Sequence, residues 1–85
     1  MKRKTILIDR EKTHGDFSDN ANASQRIKAV IREADISNPV FRESLDMISL
    51  KIARICSGQS DFSDHWEDIA GYAELAAEAC GKRDR

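Results

Sequence analysis

Long hydrophobic runs are absent from this chain. No stretch of its 85 residues approaches 18 consecutive apolar positions, so no segment reads as a membrane-spanning helix or a secretory leader. A dominant charge is absent too. Fourteen basic residues against fifteen acidic ones leave a formal net charge of −1, which argues against bulk electrostatic capture of nucleic acid. Cysteine occurs twice, as Cys56 and Cys80, with no CxxC spacing and no paired histidines, so neither a zinc knuckle nor a disulfide framework is indicated. Both thiols are expected to be reduced and core-facing, as in a cytoplasmic protein. The four glycines, Gly15, Gly58, Gly71 and Gly81, are isolated, which excludes a Gly-rich phosphate loop. The two histidines stand in unrelated contexts, so no Ser-His-Asp or Cys-His nucleophile arrangement can be built.

What remains is helical. Ala23, Ile27, Val30, Ile31 and Ala34 recur at helical spacing over residues 17–34. Asn38-Pro39 pairs a capping residue with proline at the first helical position and predicts the start of a second helix. Phe41, Leu45, Ile48, Ile52 and Ile55 then form a long apolar stripe, and Ser57-Gly58 closes the element. Ser60 to Ser63 offer caps for a third helix ending near Gly81. The expected fold class is all-α: a three-helix chain forming an oligomeric helical bundle. Residues 1–15 read as a basic N-terminal segment holding one apolar patch, Ile6-Leu7-Ile8. Residues 16–81 read as a single domain, and 82–85 as a charged tail. A domain this small is marginal alone and gains from self-association.

The third helix carries acid where a helix should be apolar. Asp61, Asp64, His65, Asp68 and Tyr72 share one stripe, and Phe62, Trp66, Ile69, Ala73, Ala76 and Cys80 occupy the next, which is expected to be core. On the second helix Glu43, Asp46, Leu50 and Arg54 share a stripe flanked by Met47 and Lys51. Two helices that each present a spaced acid pair can surround a hard cation such as Mg²⁺, which takes oxygen ligands and keeps several waters. Lys51 and Arg54, further along the second helix, suit a phosphate chain. The plain alternative is a solvated surface network, with Asp64 a first-turn acid favoured by the helix dipole.

The segments Glu43-Ser44-Leu45-Asp46-Met47-Ile48, Lys51-Ile52-Ala53-Arg54-Ile55 and Asp64-His65-Trp66-Glu67-Asp68-Ile69-Ala70-Gly71-Tyr72 resemble small phage and prophage proteins of the MazG-like, all-α NTP pyrophosphatase group. Thr13-His14-Gly15-Asp16-Phe17 resembles the segment that opens many of them, and the likeness runs over roughly residues 12–80. The resemblance implies a helical bundle built by dimers or tetramers that hydrolyses nucleoside triphosphates between the α and β phosphates with Mg²⁺. The group's ExxE and ExxD metal motifs become Glu43-x-x-Asp46 and His65-x-x-Asp68 here, with Asp64 adjacent. These are departures in arm length and ligand type. The implied roles are metal binding for Glu43, Asp46 and Asp68, completion of the shell or base catalysis for Asp64 and His65, and substrate binding for Lys51, Arg54 and Tyr72.

Three functions therefore compete: a Mg²⁺-dependent nucleoside triphosphate pyrophosphohydrolase, a nucleotide-binding or host-protein-binding phage protein without turnover, and a structural helical adaptor. The expected partners are a second copy of the chain and a nucleotide, with neither nucleic acid nor membrane, and the expected location is cytoplasmic.

Overall fold

In the computed structural model, residues 12–81 are described. The Ile6-Leu7-Ile8 patch, most of the basic N-terminal segment and the charged tail lie outside them. Three long helices follow in order: α1 (Phe17–Glu33), α2 (Pro39–Ser57) and α3 (Ser63–Ala79). Among the described residues there is no strand, and no helix is long and apolar enough to cross a membrane.

Local chemistry sets the boundaries. Asp16 caps α1, its carboxylate accepting from the Asp19 amide at 3.4 Å. Asn38 caps α2, its side chain accepting from the Val40 amide at 2.9 Å, with Pro39 at the first position as the sequence predicts. At the other end the Gly58 amide donates to the Arg54 carbonyl at 2.8 Å. The start of α3 differs from expectation. Phe62 holds the cap position and makes no side-chain capping bond, so none of the available serines or aspartates caps that helix.

α2 is the middle of the fold. It packs on α1 along one side and on α3 along the other, and no backbone-level contact links α1 to α3 among the described residues. The seams are made of small or polar residues: Asn20, Ser24, Ser44, Ser49, Ala53 and His65 are the buried side chains of the helices. Small side chains let helix axes approach closely, and Ser49 satisfies its hydroxyl by donating to the Leu45 carbonyl at 2.7 Å.

This arrangement leaves the larger apolar side chains only partly covered. Ala53 is the one hydrophobic residue among the described positions that is fully buried. Ile27, Val30 and Ile31 of α1 and Leu45, Ile48 and Ile52 of α2 line an open groove instead, and Val30 is 69% exposed. The expected core stripe of α3 is corrected as well. Trp66 is 53% exposed, and Ala73 and Cys80 are exposed, whereas His65, Ile69, Tyr72 and Ala76 turn inward. The reason is that among the described residues α3 packs along one long helix only, so one narrow stripe is covered and the adjoining apolar one stays open. Cys56 and Cys80, expected in the core, are both exposed.

Candidate functional site

Projected at 100° per residue, α2 presents Ser49 and Ala53 toward α1 and Ser44 and Lys51 toward α3. Between these seams lie two opposite faces. One carries Phe41, Leu45, Ile48, Ile52 and Ile55. The other carries Glu43, Asp46, Leu50 and Arg54. α3 adds Asp64 and Asp68 to the second, charged face. Glu43, Asp46, Lys51, Arg54, Asp64 and Asp68 thus fall on or beside a single side of the fold, with the apolar stripe on the other.

The centre of the charged face is an ion pair. Lys51 Nζ lies 2.8 Å from Asp68 Oδ2, with the lysine side chain 12% exposed and the aspartate 48%. The hydrogen bond from Lys51 holds the Asp68 carboxyl below the usual carboxylate range; burial opposes it, and the charges of Lys51, His65 and Arg54 act in the same direction as the hydrogen bond. The pair also fixes the antiparallel register of α2 and α3. Asp46 and Glu43 lie five and eight residues from Lys51 on α2, about 7.5 and 12 Å along its axis. The three carboxylates expected to share a metal are therefore spread along the face. Among the described residues no group of three His, Cys, Asp or Glu side chains is placed to hold a metal ion. Glu43 is exposed beside Tyr72 in a wide groove of about 640 Å³ that also takes in Val40, Ser44 and Leu75.

His65 sits elsewhere than the acids. It is 1% exposed, and its Nε2 lies 3.2 Å from both the Thr13 carbonyl oxygen and His14 Nδ1. A carbonyl only accepts, so the proton belongs on Nε2, which donates to Thr13 and leaves His14 Nδ1 as acceptor. Phe62 packs edge-on against the same ring, with centroids 5.0 Å apart. The Thr13 carbonyl also accepts from the Gln59 amide at 3.2 Å. Gly15 closes this junction with φ +81°, and a Cβ on it would run into the Ser57 carbonyl oxygen. The Thr13–Phe17 motif and the Asp64–Tyr72 motif, quoted separately from the sequence, are thus joined in space, and His65 ties the segment before α1 to the start of α3.

A second cavity on the charged side escaped the sequence reading. Between α1 and α2 a pocket of about 180 Å³ is lined by Phe17, Asn20, Ser24, Gln25, Lys28 and Arg54. Its signal in the sequence was Asn20, Ser24 and Lys28 at i, i+4 and i+8, a polar stripe adjoining the apolar one.

No curated protein and no solved structure is similar to this chain at a significant level. A family model described as a domain of unknown function, DUF6378, matches residues 2–80, nearly the whole chain, and the protein belongs to that family.

Proposed function

We propose that the chain is the subunit of a homo-oligomeric, Mg²⁺-dependent nucleoside triphosphate pyrophosphohydrolase of the MazG-like, phage-associated kind, converting a triphosphate to a monophosphate and pyrophosphate. The observation that carries this reading is the segregation of the two faces: Lys51, Arg54, Asp64, Asp68 and Glu43 gather on or beside one side, and an apolar surface left open among the described residues occupies the other. The apolar surface is assigned to a second copy. Helices of 17–19 residues are about 25–28 Å long, and three side by side at 8–10 Å spacing present roughly 750 Å². That is close to the ~800 Å² per partner of a standard interface. An isologous contact through this face leaves both charged faces open to substrate.

On the charged face Lys51 and Arg54 bind phosphate oxygens, and Asp68 positions Lys51 by its ion pair. Glu43 and Asp46, three residues apart, remain to hold Mg²⁺. The fit is to the mode in which one or two carboxylates are joined by substrate phosphates and water. Mg²⁺ supplies charge neutralisation of the triphosphate there. Asp64 is exposed and able to orient water, whereas the Nε2 proton of His65 is engaged with Thr13.

The test is incubation of the full chain with a panel of ribo- and deoxyribonucleoside triphosphates and Mg²⁺, reading pyrophosphate and monophosphate. Release of orthophosphate only, or of nothing, refutes the reaction. A second reading, nucleotide binding or host-protein binding without turnover, draws support from the Lys51–Asp68 pair, which occupies one of the three carboxylates. It predicts nucleotide affinity with no pyrophosphate. A purely structural adaptor predicts neither.

A further inference from the structure

The two histidines of the chain, 51 positions apart in sequence, meet in the fold. His65 Nε2 lies 3.2 Å from His14 Nδ1 and 3.2 Å from the Thr13 carbonyl oxygen. An imidazole nitrogen has one in-plane axis, which carries either a proton or a lone pair. Both neighbours meet the direction that a hydrogen bond to Nε2 requires, so that axis runs between them and straight at neither. Contacts of this length stand at the long end for N–H hydrogen bonds. They match the edge of a metal polyhedron better. Two imidazole nitrogens on one tetrahedral ion at about 2.0–2.1 Å stand roughly 3.3 Å apart, with ring centroids roughly 5 Å apart. Rings joined head-on by a straight hydrogen bond would hold their centroids roughly 5.5 Å apart. The His14 and His65 centroids are 4.9 Å apart, with the rings tilted by 51°. The surroundings fit as well. The Thr13 carbonyl has two lone pairs, and the Gln59 amide donates to one of them at 3.2 Å, which holds the oxygen in place. Phe62 stands edge-on to both rings, with centroids 5.0 Å from His65 and 6.1 Å from His14, and gives the site an apolar side. His65 is 1% exposed, but His14 is only half-buried, so an ion enters from the His14 side.

We propose that Thr13, His14 and His65 form a binding site for a divalent transition ion of the Zn²⁺ class. His65 Nε2 and His14 Nδ1 supply the nitrogen ligands, the Thr13 carbonyl supplies an oxygen, and water takes the fourth position. Imidazole selects Zn²⁺ and its neighbours, whereas Mg²⁺ prefers oxygen, so this site is separate in place and in chemistry from the acids of α2 and α3. Its donors come from two side chains and the backbone, which is why no trio of side chains marks it. To take the ion, His65 carries its proton on Nδ1 instead of Nε2, a change of tautomer with no change of charge. The bound ion bridges the segment before α1 to the first turn of α3. Ala53 is the one fully buried hydrophobic residue among the described positions, and small domains with so little apolar core gain from a metal staple. Because the donors are brought together only by folding, ion binding here stabilises the folded state. The site does not depend on the nucleotide reading.

The experiment uses the tag-free full chain, labelled with ¹⁵N, stripped with a chelator and titrated with Zn²⁺ alone. The chain has only two histidines, so imidazole nitrogen spectra read this site in the wild type without any variant. The expected result is that one equivalent of Zn²⁺ moves His65 Nε2 and His14 Nδ1 to metal-bound positions and raises the melting temperature, and that excess Mg²⁺ does not reverse either change. His14→Ala, at the half-buried ligand, should raise the Zn²⁺ dissociation constant by at least about a hundredfold, beyond the loss typical of an outer-shell partner. Glu43→Gln, on the acid face, should leave it unchanged. Saturating Zn²⁺ that leaves both rings unmoved is held elsewhere, at the exposed thiols or carboxylates, and overturns the site. A melting temperature indifferent to Zn²⁺ overturns it too, as does Zn²⁺ affinity that survives His14→Ala or is lost in Glu43→Gln. If His14→Ala does not fold, the wild-type ring spectra decide alone.

Discussion

Val30→Asp is the sharpest probe of how this fold is completed. Val30 lies on the apolar side of α1 with 69% of its surface exposed in the single chain. If the chain is a monomer, this is a surface substitution, worth within about ±0.5 kcal/mol. If the face is an interface, covering the exposed part of a valine contributes about 1–2 kcal/mol per copy. An isologous contact counts it twice, so about 2–4 kcal/mol is lost per dimer. A carboxylate buried without a partner on each side adds a further ~1–3 kcal/mol of desolvation. Even the low end of that sum, about 3 kcal/mol, raises the dissociation constant by at least a hundredfold. Sedimentation equilibrium from sub-micromolar to high micromolar protein reads this directly. Asn22→Asp, an exposed position on the same helix, serves as the control and should leave association intact. A wild type that is monomeric throughout the range, or a Val30→Asp protein that associates as well as wild type, refutes the assignment of this face to a second copy.

Two further outcomes follow from the geometry. Gly15→Ala forces a side chain into the left-handed region, about 1–2 kcal/mol, and into the Ser57 carbonyl as well, so a loss of at least 2–3 kcal/mol is expected, read as a lower midpoint in urea at unchanged slope; an unchanged midpoint would show that the segment before α1 does not dock on the end of α2. Asp68→Asn should lower the melting temperature at neutral pH by leaving the nearly covered Lys51 ammonium without its carboxylate. Because the folded-state pKa of Asp68 is depressed, the stabilisation is present above the unfolded value and is lost as pH falls through the folded one. The wild-type and Asp68→Asn melting curves should therefore converge in acid and separate at neutral pH; a gap that persists below the carboxylate range refutes the ion pair as its source.

Signals confined to a few neighbouring residues proved legible. Asn38-Pro39 opened α2 because a cap and a fixed φ act within one turn, and Gly58 closed it for the same kind of reason. The extents of the three helices follow from apolar periodicity, and so does the absence of strands among the described residues. Burial was less legible, because periodicity gives a stripe without saying how many neighbours cover it. α3 meets one helix, so Trp66 and Cys80 stay outside while His65 turns in. The acids of α2 and α3 were placed on a common face from spacing alone, but their positions along that face depend on the register, which the Lys51–Asp68 pair sets. Asn20 and Ser24 were passed over because polar residues in a helix read as solvated until a neighbouring helix is seen to cover them.

The seams of this fold explain why its stability and its chemistry can be separated by experiment. Ser24, Ser44, Ser49 and Ala53 bury little apolar surface, so the hydrophobic driving force that holds most small domains together is only partly realised within one chain. It resides in Ile27, Val30, Ile31, Leu45, Ile48 and Ile52, on the side away from the charged residues. A contact that covers this side stabilises the folded state by mass action, and the apparent stability then depends on protein concentration. A substitution there acts on folding and assembly first, and on the opposite face only as a consequence. Any loss of nucleotide affinity in Val30→Asp should therefore recover at high protein concentration, because assembly recovers; a loss that persists there would refute the separation of the two faces.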